Sequence, residues 1–249
     1  MLFGLLLLII SSYSCNSNFD NVSNQITAQK INYRSHSFDI VTIDPTKTKI
    51  QFFLEDENNQ KYRSLKKLKL GIEKHGNKLL FAMNGGMYLK DGSPQGLYIE
   101  NSKEIKVADT LSSGYGNFYL QPNGIFYLTE NEGVICTTKS ILKDKPNPKF
   151  ATQSGPMLVI DNNLHPLFKE GSQHLNLRNG VGIDNQDNVI FAISNNEVNL
   201  YDFAMLFKEK LGCKNALYLD GFVSRAYIPQ LNRKQLDGNF GVMIGVIQN

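Results

Sequence analysis

Ala216-Leu-Tyr-Leu-Asp-Gly-Phe-Val-Ser-Arg-Ala-Tyr227 is a short apolar run that ends at a carboxylate, Asp220, and a turn-permitting glycine, Gly221, with Ser224 and Arg225 just beyond. The pattern predicts a buried strand that delivers polar groups at its C-terminal end, and buried strands are rigid supports for chemistry. Three other segments are apolar and then polar in the same way: Phe81-Ala-Met-Asn-Gly-Gly-Met-Tyr88, Ala151-Thr-Gln-Ser-Gly-Pro-Met-Leu158 and Arg178-Asn-Gly-Val-Gly-Ile-Asp184. The expectation is one site made from four strand ends.

Working outward, Asp202–Leu211 places Phe203, Leu206, Phe207 and Leu211 on one helical stripe capped by Gly212, and feeds directly into the Ala216 strand. Gly241–Ile247 closes the fold as a last apolar strand. Ser64–His75, with Leu65, Leu68 and Ile72 at helical spacing, is the other helix. Ser37–Asp44 and Lys49–Leu54 are expected to pair as an N-terminal hairpin, and Lys78–Met83 reads as a buried strand. Further short strands are expected around Leu97–Glu100, Asn117–Leu120, Gly124–Thr129, Val134–Thr137, Met157–Ile160 and Asn188–Ser194. Many strands with two helices predict an α+β fold: a single domain, with a mixed β-sheet core and few helices.

The composition is that of an ordinary globular chain: 249 residues, 41% hydrophobic and 20% charged, with a net charge of +3. The Lys61–Lys69 run reads as a solvated helix face, so no nucleic-acid partner is expected. Residues 1–15 are an apolar run, then small residues, then a cysteine, too short to span a bilayer comfortably. Cys15 after Ser14 points to a bacterial lipoprotein signal peptide, with Cys15 as the lipidated N-terminus and an exported, membrane-anchored product in the periplasm or at the cell surface. No Lys or Arg precedes the run, and Ser12 stands where Leu is usual; simple secretion and a buried N-terminal strand are the alternatives. Residues 16–30, rich in Asn and Ser, read as a tether to a domain at 31–249. Cys136 and Cys213 have no metal-like spacing and read as buried thiols.

Several side chains in these segments are candidates for chemistry. Asn84-Gly85-Gly86 offers consecutive backbone amides that can nest an anion, and the loop through Tyr88 and Gln95 carries many hydrogen-bonding groups. Ser154, before Gly155 and Pro156, lacks a Gly-x-Ser-x-Gly elbow and is expected to donate a hydrogen bond instead of acting as a nucleophile. Arg178, beside what reads as a glycine-rich turn, suits a fork of bonds to a phosphate or carboxylate. Asp184 is either a second carboxylate or the cap of a turn.

Taken in order, Met83-Asn-Gly-Gly-Met-Tyr88, Gly96-Leu-Tyr-Ile-Glu100, Gln153-Ser-Gly-Pro-Met157, Arg178-Asn-Gly-Val-Gly-Ile-Asp184 and Leu219-Asp-Gly221 resemble the phosphodiester glycosidase family, in its small exported bacterial branch. The resemblance runs from about Ile31 to Ile247. It implies hydrolysis of sugar-1-phosphodiesters, with Asp220 near the anomeric carbon and Arg178 and the amides after Asn84 on the phosphate. Ser154 and Asn84 would orient the substrate; Gly85, Gly86, Tyr88, Gln95, Gly155, Ser224 and Arg225 would line it. Many members continue Asp-Gly as Gly-Gly and then Ser or Thr, whereas here Phe222 and Val223 follow, which narrows the space beside Asp220. That departure favours the alternative, an envelope lipoprotein that binds glycans or glycophosphates without cleaving them. Calcium can bridge carboxylates in such a site, but no Asp-x-Asp-x-Asp-Gly loop is present, and no metal ligand is assigned.

Overall fold

The computed structural model describes residues 26–221 and 223–248. The expected leader, Cys15, most of the tether and Phe222 lie outside them. Three antiparallel sheets account for the strands. The largest runs Thr27–Tyr33, His36–Ile43, Val189–Ser194, Asn179–Ile183, Asn215–Asp220, Met157–Ile160, Asn163–Leu164. The second runs Arg233–Lys234, Ala226–Ile228, Lys78–Asn84, Met243–Gln248, Ile50–Phe53, and the third Lys103–Lys106, Tyr98–Glu100, Phe150–Ser154, Gly124–Leu128, Gly133–Thr137. The α+β, single-domain expectation holds.

The three sheets enclose one apolar core. Phe52 of the second sheet meets Phe126 and Phe150 of the third, and Phe191 of the large sheet meets both Phe126 and Phe81. Helix α1, Leu65–Lys74, starts at Ser64, whose hydroxyl accepts the Lys67 amide, and buries Leu65, Leu68 and Ile72. Helix α2, Thr138–Asp144, is short and was not expected, because only Thr138 and Ile141 are buried and no stripe shows in the sequence. Helix α3, Leu200–Met205, continues as a π turn over Leu206–Lys210, and Phe203, Leu206 and Phe207 cover the outer face of the large sheet.

That cover explains one misreading. Asn179-Gly180-Val181-Gly182-Ile183 is a central strand and not a turn. A Cβ on Gly182 would stand 2.6 Å from Cys213 Sγ and 2.7 Å from Phe207 Cδ1, so the glycines are there for helix contact. The N-terminal hairpin is corrected as well. His36–Ile43 pairs with Thr27–Tyr33 and Val189–Ser194, while Ile50–Phe53 pairs with Met243–Gln248 in another sheet. The tether accordingly ends earlier than residue 30: Ile26 is buried and the first strand begins at Thr27. Asn117–Tyr119 is a 3-10 turn, not a strand.

Candidate active site

The strand that ends at Asp220 does not alternate to its end. Ala216 and Tyr218 face α3, while Leu217 and Leu219 face the core between the sheets. Strict alternation would put Asp220 on the α3 side with Tyr218. Instead the pairing slips by one residue: Gly180 stands opposite Tyr218 and Asn179 opposite Asp220, leaving Leu219 as the extra residue of a β-bulge. Bulges re-aim side chains beside functional sites, and this one turns the carboxylate inward to the side on which Asn179 lies.

Asn84, the last residue of its strand in the second sheet, is the hub. Its Nδ2 donates to Asp220 Oδ2 (3.1 Å), while its Oδ1 accepts from the Arg225 amide (2.9 Å) and from Asn179 Nδ2 (3.0 Å). Asn179 Nδ2 also donates to the Asn84 carbonyl at 2.8 Å, which fixes both carboxamides, since that acceptor admits only a donor. Two hydroxyls hold the bulge. Ser154 Oγ donates to the Leu219 carbonyl (2.9 Å) and Ser224 Oγ to the Asp220 carbonyl (3.1 Å), groups at the irregular end of the ladder. The Gly221 amide closes the turn on Asp220 Oδ1 at 2.6 Å.

Burial raises the Asp220 carboxyl to about 6, against the opposing bonds from the Gly221 amide and Asn84. Tyr88 sits close enough for the Asp220 charge to add to burial in raising its hydroxyl. A carboxyl that ionises about one pH unit below neutrality, held by the Asn84 carboxamide at the junction of two sheets, is a device for accepting or giving a proton.

The structure therefore brings Asp220, Asn84, Tyr88, Ser154 and Ser224 together, the serines as supports with their hydroxyls given to backbone carbonyls. Arg178 lies one residue before Asn179, buried, with Nε on the Val198 carbonyl (2.6 Å), Nη2 on the His174 carbonyl (2.8 Å) and Nη1 on Tyr218 Oη (3.0 Å). The expected anion nest is not open, because the Gly85 amide is committed to the Val242 carbonyl at 2.8 Å. Gly86 packs on Thr152, and the Gln95 amide braces its own loop by bonding to the Met87 carbonyl. Gly155 packs against Asn123 and the Phe118 carbonyl. Arg225 sends Nε to Asp237 and Nη1 to the Ser224 carbonyl, and meets Asn84 through its backbone, its amide on Asn84 Oδ1 and its carbonyl on the Asn84 amide. Val223 joins the apolar cluster that Tyr88 and Tyr227 flank.

Asp184 is placed elsewhere. It follows the far end of the Asn179–Ile183 strand, about 16 Å from Asn179 at the usual rise of a strand. There its carboxylate accepts the Gln186 and Asn188 amides and caps a turn. Asn179 itself was missed; the available signal was an amide at the head of an apolar strand. Cys136 and Cys213 are free thiols raised by burial to about 11 and about 12, so both remain protonated.

Gly221 is required by what lies beneath it. A Cβ there would fall 2.1 Å from Tyr218 Oη but 3.4 Å from Cζ. Gly221→Ala should cost about 1–3 kcal/mol by overpacking, and Tyr218→Phe in the same chain should recover much of that loss. Denaturant melts of the four chains in the cycle measure the coupling; additive losses would refute the contact.

Fold and site together define an antiparallel α+β protein with a carboxylate–carboxamide centre at converging strand ends. The pattern of the phosphodiester glycosidase family matches residues 77–247, well over half of the chain, and the protein belongs to that family. It is 36% identical over 187 residues to the uncharacterized protein YigE of Escherichia coli (strain K12), covering 75% of this chain and 72% of that one. Its fold is similar to the catalytic domain of zebrafish N-acetylglucosamine-1-phosphodiester alpha-N-acetylglucosaminidase, auto-inhibited by its pro-peptide, with a TM-score of 0.60 and 16% identity over 89% of this chain and 82% of that one. A hypothetical protein from Synechocystis gives a TM-score of 0.56 and 14% identity over 92% of this chain and 63% of its own.

Proposed function

We propose that the protein is a hydrolase that cleaves the glycosidic bond of sugar-1-phosphodiesters in the cell envelope, with Asp220 as its working carboxylate. The observation that carries this reading is the Asp220 carboxyl itself, held by Asn84 at the bulged end of its strand and raised to about 6. Family membership supports it, and so does the zebrafish neighbour, which is named for acting on an N-acetylglucosamine-1-phosphodiester.

Breaking the anomeric C–O bond of such a substrate releases a phosphomonoester, which is a weak base. The step therefore needs stabilisation of an oxocarbenium-like carbon and removal of a proton from water more than it needs a strong acid. Ionised Asp220 supplies both. The water oxygen bonds to the anomeric carbon, its proton passes to Asp220, and the electron pair of the broken C–O bond leaves with the phosphate. Asn84, itself fixed by Asn179, holds Asp220 in place. Arg178 takes the phosphate charge, since only three of its N–H groups are committed within the protein. Calcium would require six to eight oxygen ligands. Among the described residues no group of three or more His, Cys, Asp or Glu side chains is placed to hold a metal ion.

The test is release of phosphomonoester from a panel of nucleotide sugars and sugar-1-phosphodiesters. Turnover should rise with pH along one ionisation near 6, because the ionised carboxylate is the active form. A panel that yields no product from any member sinks the reading. Lipid anchoring at Cys15 belongs to the same proposal: Cys15→Ser should move the protein from the membrane to the soluble fraction, and unchanged membrane association would remove it.

A further inference from the structure

Of the nine large hydrophobic residues that stand exposed among those described, five belong to the edge of the third sheet, the loop that follows it and helix α2: Ile105, Val107, Leu111, Tyr115 and Leu142. Val107 and Leu111 are more than 60% exposed and Tyr115 completely so. A single exposed apolar side chain is ordinary, but a cluster marks a surface that something covers. This one is rigidly built. Gln153 Oε1 accepts the Leu97 and Asp109 amides at 2.9 Å, and its Nε2 donates to the Asp109 carbonyl (2.8 Å) and to the hydroxyl of Thr138 (3.1 Å), the first residue of α2. One buried carboxamide thereby pins the loop to the helix. Val107 and Leu142 line one cleft of about 400 Å³ with Leu97, Ile99, Ile141 and Pro146.

The charge around the cluster has one sign in excess. Residues 103–111 and 139–145 hold five lysines, Lys103, Lys106, Lys139, Lys143 and Lys145, against three carboxylates, Glu104, Asp109 and Asp144. Asp109 is already engaged by the Tyr119 hydroxyl at 2.9 Å. None of the five lysines has an ion pair among the described residues, whereas Lys30, Lys47, Lys49, Lys69, Lys74 and Lys149 all do. Apolar side chains ringed by unpaired lysines match the boundary of an anionic bilayer, where headgroup charge lies directly above hydrocarbon.

We propose that this face docks on an anionic lipid surface, with Val107, Leu111, Tyr115 and Leu142 entering the headgroup–acyl boundary and the five lysines lying among the headgroups. The proposal is independent of the glycosidase reading and of an anchor at Cys15.

The chain contains no tryptophan, so Tyr115→Trp gives the face a unique fluorophore. The full chain is titrated with phosphatidylcholine vesicles with and without phosphatidylglycerol. With the anionic vesicles the introduced indole should shift to the blue and be quenched by bromine-labelled acyl chains. An indole introduced by Leu70→Trp, exposed on α1 at the second sheet, should do neither. Adding Lys143→Ala and Lys145→Ala, both exposed, to the Tyr115→Trp chain should weaken the partition roughly thirtyfold at low salt, at about fivefold per lysine. Raising the salt to 0.5 M should weaken it as well. The assignment is overturned if the indole at position 115 is unmoved by anionic vesicles, if the one at position 70 responds equally, or if the partition ignores both lysine removal and phosphatidylglycerol content. Capture of a second copy of this chain by cross-linking through position 115, with no vesicle response, would make the face a protein interface and also overturn it.

Discussion

Asp220→Asn is expected to lower turnover by roughly 10²–10⁴-fold, the usual range for a proton-transferring side chain, while making the protein more stable at pH 8. The two effects have one cause. In the folded chain the carboxyl is raised to about 6 from its ordinary 3.8, chiefly by burial. Between those values the folded state holds a proton that the unfolded state has released, so stability is greatest below pH 4 and falls as pH rises through about 6. Above that point the ionised carboxylate costs the fold up to about 3 kcal/mol, at about 1.4 kcal/mol for each pH unit separating the two ionisations. Asparagine carries no charge at any pH and avoids the cost, but its amide nitrogen cannot accept the Gly221 amide as Oδ1 does, a loss of about 1 kcal/mol. The net gain is about 1–2 kcal/mol, or roughly 2–8 °C in Tm for a chain of this size. Thermal melts of both proteins at pH 4 and pH 8 decide it. The gain should appear at pH 8 and vanish or reverse at pH 4; a pH-independent difference would falsify the buried charge as its origin.

Much of this site was legible in the sequence as chemistry, and little of it as geometry. An apolar run that stops at Asp220-Gly221 announces a carboxylate on a rigid strand, and Lys78–Asn84 announces an amide in the same way. What joins them is long-range: Asn84 and Asp220 are 136 positions apart and belong to different sheets. The bulge at Leu219 is set by pairing with Gly180 and Asn179, so nothing local to the strand marks it. Glycines misled at Gly180 and Gly182, where the cause is the approach of Phe207 and Cys213 and not a turn. The false hairpin has a similar origin. His36–Ile43 buries residues on both faces, as a strand inside a sheet does, and its neighbours are the Thr27 and Val189 strands. Arg178 lies one residue before Asn179, yet most of its bonds run to the protein's own carbonyls, which composition and spacing do not reveal.

The second large effect is expected at Asn84. Asn84→Asp preserves shape, and its Oδ1 still accepts from the Arg225 amide and Asn179 Nδ2. The donor that faced Asp220 Oδ2 at 3.1 Å, however, becomes a second carboxylate oxygen. Two carboxylates at that distance do not both ionise, so the pair shares one proton whose release is pushed well above the ordinary range. At pH 5 that proton bridges the two groups and the variant should melt close to wild type. As pH rises through the upper ionisation of the pair, stability falls, because the unfolded chain releases a proton that the folded chain retains or replaces with repulsion. At pH 8 the loss should reach about 3–5 kcal/mol, the scale for an uncompensated buried charge, and turnover should be nearly absent, since Asp220 is no longer free to accept a proton. Asn84→Ala separates charge from packing. It leaves the Arg225 amide without its acceptor and costs about 1–3 kcal/mol at both pH values, because it adds no charge. If the aspartate variant showed the same Tm deficit at pH 5 as at pH 8, Asn84 would not be the group that holds the Asp220 carboxylate.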